Sequence, residues 1–285
     1  MSDLQSQLNA READIVALRQ ELEETNKGVV ALYAELDDKA AQLRAANDLK
    51  SRFLSYMSHE FRTPLTSMTS ISNILLQRLD GPLTDEQQKQ VEFIRGSTRE
   101  LTEMVNDLLD LAKVEAGRIT ISPEWFEMVD LFAALRGMFK PIAASTSVSL
   151  VFEEPEGEVK LFTDDKKLSQ ILRNFISNAL KFTPEGEVRV SARVLDDGYV
   201  EFAVADTGIG IAAEHIPHLF TDFMQLDVRL QKRLRGSGLG LSLARKFALL
   251  LGGRVGVESE LGKGSRFWVT LPMRFDPALV VQEVT

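Results

Sequence analysis

The sequence predicts an α + α/β chain: an N-terminal coiled coil and a dimeric helical hairpin (a four-helix bundle), followed by an α/β sandwich domain. Three observations predict it. Apolar residues recur every seven positions through the first fifty residues, and helical spacing then runs to about residue 117 with one break. Beyond residue 119, short β-like runs interleave with helical ones.

Residues 1–49 contain no proline, one glycine and dense Glu, Asp, Gln and Ala. Leu8, Ile15, Leu22, Val29, Leu36 and Leu43 are each seven residues apart, and Leu4, Leu18 and Leu32 fill the offset position in alternate heptads. Such a repeat is buried only when a second seam covers it, which predicts a parallel coiled-coil dimer. The bland alternative is one long solvated helix with an accidental stripe. Arg11, Thr25 and Lys39 at the remaining offset positions imply modest stability.

Leu54, Met57, Phe61, Leu65 and Met68 carry the helical pattern onward to about Leu79, where Asp80-Gly81-Pro82 breaks it. Thr84 followed three residues later by Gln87 reads as a capping box. The helix it opens places Val91, Ile94, Leu101, Val105, Leu108 and Ala112 on one stripe and ends near Gly117. Two helices bury too little alone, so dimerisation into a four-helix bundle completes the hairpin.

Strand-like runs follow at 148–152, 188–194, 200–204, 254–258 and 266–271, with helical runs at 129–139, 166–181 and 239–251. Their order lacks the regular alternation of a doubly wound sheet and predicts an α/β sandwich. The glycine- and charge-rich segment 207–237 is long enough to be a functional lid.

Composition narrows the function. The chain is 44% hydrophobic and 26% charged, which predicts a folded core, and its net charge of −9 argues against nucleic acid or anionic lipid as partner. No apolar run is long enough for membrane insertion, and the N-terminus lacks a signal layout, so a cytoplasmic location is expected. Zero cysteines exclude disulfides and thiol chemistry, and only His59, His215 and His218 remain as histidines.

Four clusters carry the chemistry. His59 points about 200° away from Met57 and so toward solvent, with Thr63 one turn on along the same face. Pro64 follows inside the helix, where it costs about 3 kcal/mol and creates a bendable point. Asn174, Asn178 and Lys181 share one face of the next cluster, opposite Leu168, Ile171, Leu172, Phe175, Ile176 and Ala179. Their carboxamide oxygens and lysine suit a hard cation such as Mg²⁺ with adjacent phosphates, although for the asparagine pair alone a solvated face is the simpler explanation. Asp206-Thr207-Gly208-Ile209-Gly210 follows a strand, and its carboxylate could accept from an exocyclic amine such as adenine's. Gly236-Ser237-Gly238-Leu239-Gly240 feeds a helix and could wrap phosphate, with Lys232, Arg233 and Arg235 upstream.

The stretch Phe53-Leu54-Ser55-Tyr56-Met57-Ser58-His59-Glu60-Phe61-Arg62-Thr63-Pro64-Leu65 resembles the phospho-acceptor box of two-component sensor histidine kinases. The later clusters resemble, in order, that family's asparagine box and its two glycine boxes. Leu219-Phe220-Thr221-Asp222-Phe223 is similar to its phenylalanine box, with Asp222 where the family usually has Pro, and 262–267 to its closing glycine element. The resemblance spans about residues 45–273.

It implies a coiled-coil signalling helix at 1–49, a dimerisation and phosphotransfer hairpin at 50–117, a catalytic ATP-binding domain at 118–275 and a tail at 276–285. It implies ATP and Mg²⁺ as cofactors, with His59 as nucleophile, Glu60 as the acid that orients or deprotonates it, and Thr63 serving dephosphorylation of a response regulator. Asn178 is the implied Mg²⁺ ligand, supported by Asn174 and Lys181, and Asp206 reads adenine. Gly208, Gly210, Arg235, Gly236, Gly238, Leu239 and Gly240 form the remaining nucleotide site and lid. The implied partners are a second copy of the chain, a response regulator receiver domain, and an upstream sensor acting through the coiled coil. Other ATPases of the same fold lack the box around His59, and a vestigial scaffold would not keep every ligand position filled.

Overall fold

A computed structural model describes residues 2–79, 81–144, 147–153, 157, 159–224 and 237–278. The chain divides into two compact units, Met1–Tyr56 and Met57–Thr285. Helix α1 spans Ser2–Leu76 with Pro64 inside it. In the first unit the predicted seam residues Ile15, Leu22, Val29, Leu36 and Leu43 are all exposed on the single chain, as an uncovered heptad stripe must be. The side chains of Leu4 and Leu8 lie outside the described residues, as does Asp80 of the predicted break.

In the second unit, Arg78 and Gly81 turn the chain with positive φ (57° and 126°). Thr84 then caps helix α2, Asp85–Glu115, by the reciprocal box expected from the sequence: Gln87 N–H donates to Thr84 Oγ1 and Thr84 N–H to Gln87 Oε1. Of the predicted α2 stripe, Val91 and Ala112 are buried, while Ile94 and Leu101 stay about half exposed. One neighbouring helix covers only part of a helix's perimeter; the remainder is what a second hairpin would cover.

The sandwich is a five-stranded sheet in the order β2-β4-β5-β7-β6: β2 Ser147–Phe152, β4 Glu185–Val194, β5 Tyr199–Asp206, β6 Arg254–Glu260 and β7 Gly264–Pro272. β2 and β4 are parallel and every other pair antiparallel. Alternate residues Val188 and Val190, Val200, Phe202 and Val204, and Phe267, Val269 and Leu271 bury one face. Helices α3 Met128–Ala143, α4 Asp165–Phe182 and α5 Gly240–Leu250 pack on it through Phe132, Phe175 and Phe247. A small antiparallel pair, β1 Glu124–Glu127 with β3 Lys160–Thr163, was not expected. Its four-residue strands are too short to show a period in sequence.

Candidate active site

His59 and Glu60 lie exposed on α1, and so does Thr63. The Thr63 hydroxyl donates to the His59 carbonyl at 3.3 Å, which ties it to the backbone of the residue one turn back. Pro64 has no N–H for the carbonyl of Glu60, so the helix is loosened beside the imidazole. Ser58, next to His59, is buried.

Asp164 caps α4 by accepting from Lys167 N–H at 3.0 Å. Leu168, Ile171, Leu172, Phe175, Ile176 and Ala179 anchor its inner face, which leaves Asn174, Asn178 and Lys181 half-buried together on its outer side. Asn178 Nδ2 donates to Asn174 Oδ1 at 3.1 Å. The Asn178 carbonyl oxygen therefore remains as the acceptor that the pair does not use. The Lys181 ammonium lies 5.4 Å from the Phe182 ring centroid, and burial lowers its pKa against the opposing pull of Glu100.

β5 delivers Asp206 at its C-terminal end, in register with Ser265 of β7. Asp206 Oδ1 accepts from Gly208 N–H at 2.8 Å and from Ser265 N–H at 3.3 Å. Burial raises its pKa, and those two N–H groups and the Thr183 hydroxyl pull it back. Gly210 holds φ +66° against the Glu260 backbone, where a Cβ would collide. Ser259 braces the same loop by accepting from Ile211 N–H at 2.8 Å and donating to the Gly264 carbonyl at 2.9 Å.

The second glycine cluster packs on the first asparagine. Gly240, the first residue of α5, lies so close to Asn174 that a Cβ would overlap its amide. Leu239 is buried, and Gly238 (φ +72°) backs onto Phe223 (φ +62°), which brings together the described residues on either side of 225–236. Arg235 and Gly236, with Lys232 and Arg233, lie outside the described residues. Asn174, Asn178 and Gly240 are thus in one place, with Asp206, Gly208 and Gly210 gathered at the adjoining strand end.

Sequence reasoning missed the groups that approach this face from α2. Gln170 donates to Asp110 at 3.0 Å, and Lys246 bridges Asp222 at 3.0 Å and Glu115 at 3.5 Å. Asp107 is pushed up to about 6, first by burial and then by Asp110 and Glu103, against Arg173 and a hydrogen bond with Ser237. Surface-like acidic residues on a helix give no sign in sequence of what they will face.

Among the described residues, no group of three or more His, Cys, Asp or Glu side chains is placed to hold a metal ion. A cation here would rest on the Asn178 amide oxygen plus ligands brought by phosphate and water, a donor set that fits Mg²⁺.

Residues 49–117 match the family model for the His kinase A (phospho-acceptor) domain, and residues 163–274 match that for histidine kinase-, DNA gyrase B- and HSP90-like ATPases. The chain belongs to the two-component sensor histidine kinases. The chain is 36% identical over 243 residues to the autoinducer 2 sensor kinase/phosphatase LuxQ of Vibrio parahaemolyticus, covering 83% of the chain and 27% of that protein. It is 39% identical over 243 residues to the histidine protein kinase DivJ of Caulobacter vibrioides, covering 85% and 40% respectively. The crystal structure of full-length ShkA in complex with AMPPNP matches with a TM-score of 0.62 and 34% identity, over 77% of this chain and 45% of that one. The chain therefore spans less than half the length of these curated relatives. Among the described residues, no helix is long and apolar enough to cross a membrane.

Proposed function

We propose that the chain transfers the γ-phosphoryl group of ATP to its own His59 and passes it to an aspartate of a response regulator receiver domain. The observation that carries this is the joining of an exposed His59 on α1 to a separate pocket built by α4, β5 and α5. Asp206 accepts from the adenine amino group, which guanine replaces with an oxygen. Asn178 would hold Mg²⁺, which would supply charge neutralisation for the phosphates, while Asn174, Lys181 and the N-terminus of α5 would surround them.

The exposed imidazole attacks the γ-phosphorus, ADP departs, and the ring proton leaves to solvent or to Glu60. Glu60 is one residue from His59 and so about 100° round the helix. It reaches the imidazole only by wrapping, or when the helix twists at Pro64. The remaining catalysis is positioning, as in other phosphoryl transfers.

A homodimer is supported by the uncovered seam of α1 and the half-exposed Ile94 and Leu101 of α2. The seam also supports a coiled coil that receives its signal from an upstream sensor. In this reading the coiled coil covers 1–49, the phosphotransfer hairpin 50–117, the ATP-binding domain 118–275 and the tail 276–285, in the cytoplasm. The name kinase/phosphatase of LuxQ supports a second activity, in which Thr63 directs water at the phosphorylated regulator.

The test is incubation with γ-labelled ATP and Mg²⁺. The parent should take up label, and His59→Ala should take up none. Equal labelling of both chains would move the phospho-acceptor elsewhere.

A further inference from the structure

Thr183 ends α4 in extended backbone (φ −112°, ψ 99°), directly after Lys181 and Phe182. It is 2% exposed, and its hydroxyl oxygen lies within hydrogen-bonding geometry of no group among the described residues. Such a hydroxyl inside a closed site is costly unless its hydrogen finds an acceptor. Its surroundings name one. A Cβ built on Gly208 would stand 2.8 Å from Thr183 Oγ1 and 2.8 Å from Asp206 Oδ1, so the two oxygens flank one small gap at the strand end. The hydroxyl is already near enough to lower the Asp206 pKa against burial.

We propose that Thr183 is a positioning residue of the adenine subsite: its hydroxyl donates to the Asp206 carboxylate and fixes it in the orientation that accepts from adenine's exocyclic amine. This rests on the reading of the pocket as an ATP site. Asp206 Oδ1 already takes N–H groups from the Gly208 loop and from Ser265 of β7. Thr183 supplies the third direction, from the end of α4, and so links the adenine end of the pocket to the helix that carries Asn174 and Asn178. These three polar groups are what acts on Asp206, and no charged side chain among the described residues does. The competing explanation is that a β-branched residue merely suits extended backbone in a packed corner. Valine would then serve as well as threonine.

The test is calorimetric ADP binding, with Mg²⁺, to the full chain between pH 5 and 8, for the parent, Thr183→Val, Thr183→Ala and Thr183→Ser. GDP serves as the comparison ligand. Losing the hydroxyl should weaken ADP about tenfold at pH 7.5, as loss of a charge-assisted bond does. Without that donor the carboxylate protonates more readily, so the acid loss of binding should move to higher pH. Thr183→Ser should restore both within about twofold, and ADP-over-GDP preference should narrow only in the valine and alanine variants. Thr183→Ala keeps the test open if valine lowers the melting temperature below the assay. Parent-like affinity and pH profile in valine or alanine would overturn the proposal and leave the ATP site standing. Serine as weak as valine would also overturn it, since packing would then be the cause. No ADP binding by the parent would overturn both readings.

Discussion

Asn178 donates to Asn174 Oδ1 at 3.1 Å, one turn along α4, and this bond gives the two asparagines different roles. Asn174 accepts and is held, while the Asn178 carbonyl oxygen stays out of the pair and, on the proposed reading, takes the cation. Asn178→Ala should therefore remove the strengthening of ADP binding by Mg²⁺, about tenfold. Asn174→Ala should weaken binding but keep the Mg²⁺ dependence. Titrations with and without Mg²⁺ compare them, and equal loss of Mg²⁺ dependence in both variants would count against this division.

Gly240 is where α5 meets that pair. A methyl group here would overlap the Asn174 amide, which cannot retreat without breaking its bond from Asn178. Gly240→Ala should reduce ADP affinity at least tenfold while lowering stability by only about 1 kcal/mol, since alanine itself favours helix. A variant with parental affinity would remove the close packing from the account.

Asp107 gives a pH signature. Its folded pKa of about 6 exceeds the ordinary 3.8, so the folded chain binds this proton more tightly than the unfolded chain. Ionised Asp107 therefore opposes folding, with a penalty that grows from about pH 4 to pH 6 and is constant above. Asp107→Asn removes the charge. It should add roughly 1–2 kcal/mol at pH 7, after allowance for solvent screening, and almost nothing at pH 4. Denaturant unfolding at the two values tests this, and a pH-independent difference would contradict it.

The sequence was legible where a period or a reciprocal signal exists. The six apolar positions of α4 that were expected inside are buried, and Thr84 with Gln87 forms its box. Asn174 and Asn178 belong to one box and Gly240 to another, and the fold brings Gly240 against Asn174. Other features have no local signal. The four-residue β1 and β3 have no readable period, and Thr183 gains meaning only because Gly208 and Asp206 arrive from another strand. Ile94 and Leu101 fit the expected stripe yet stay half exposed on the single chain, as they would if a second hairpin were needed to cover them.

Thr63 should separate the two proposed activities. Its hydroxyl is bound to the His59 carbonyl at 3.3 Å, and transfer of phosphate to the imidazole does not need it. Thr63→Ala should leave autophosphorylation within about twofold of the parent, since alanine favours the helix, and slow decay of the separately phosphorylated regulator about tenfold or more. Decay is followed with ADP and Mg²⁺ present. Unchanged decay, or equal loss of both activities, would contradict the assignment.

The central claim is a phosphoramidate on His59. The most direct measurement is the chemical stability and location of the phosphoryl group after incubation with ATP and Mg²⁺, by acid and alkali treatment and by mass spectrometry under neutral conditions. The account predicts a group lost in acid, retained in alkali, and carried by the peptide that contains His59. An acid-stable group, or one on a peptide without His59, would contradict it.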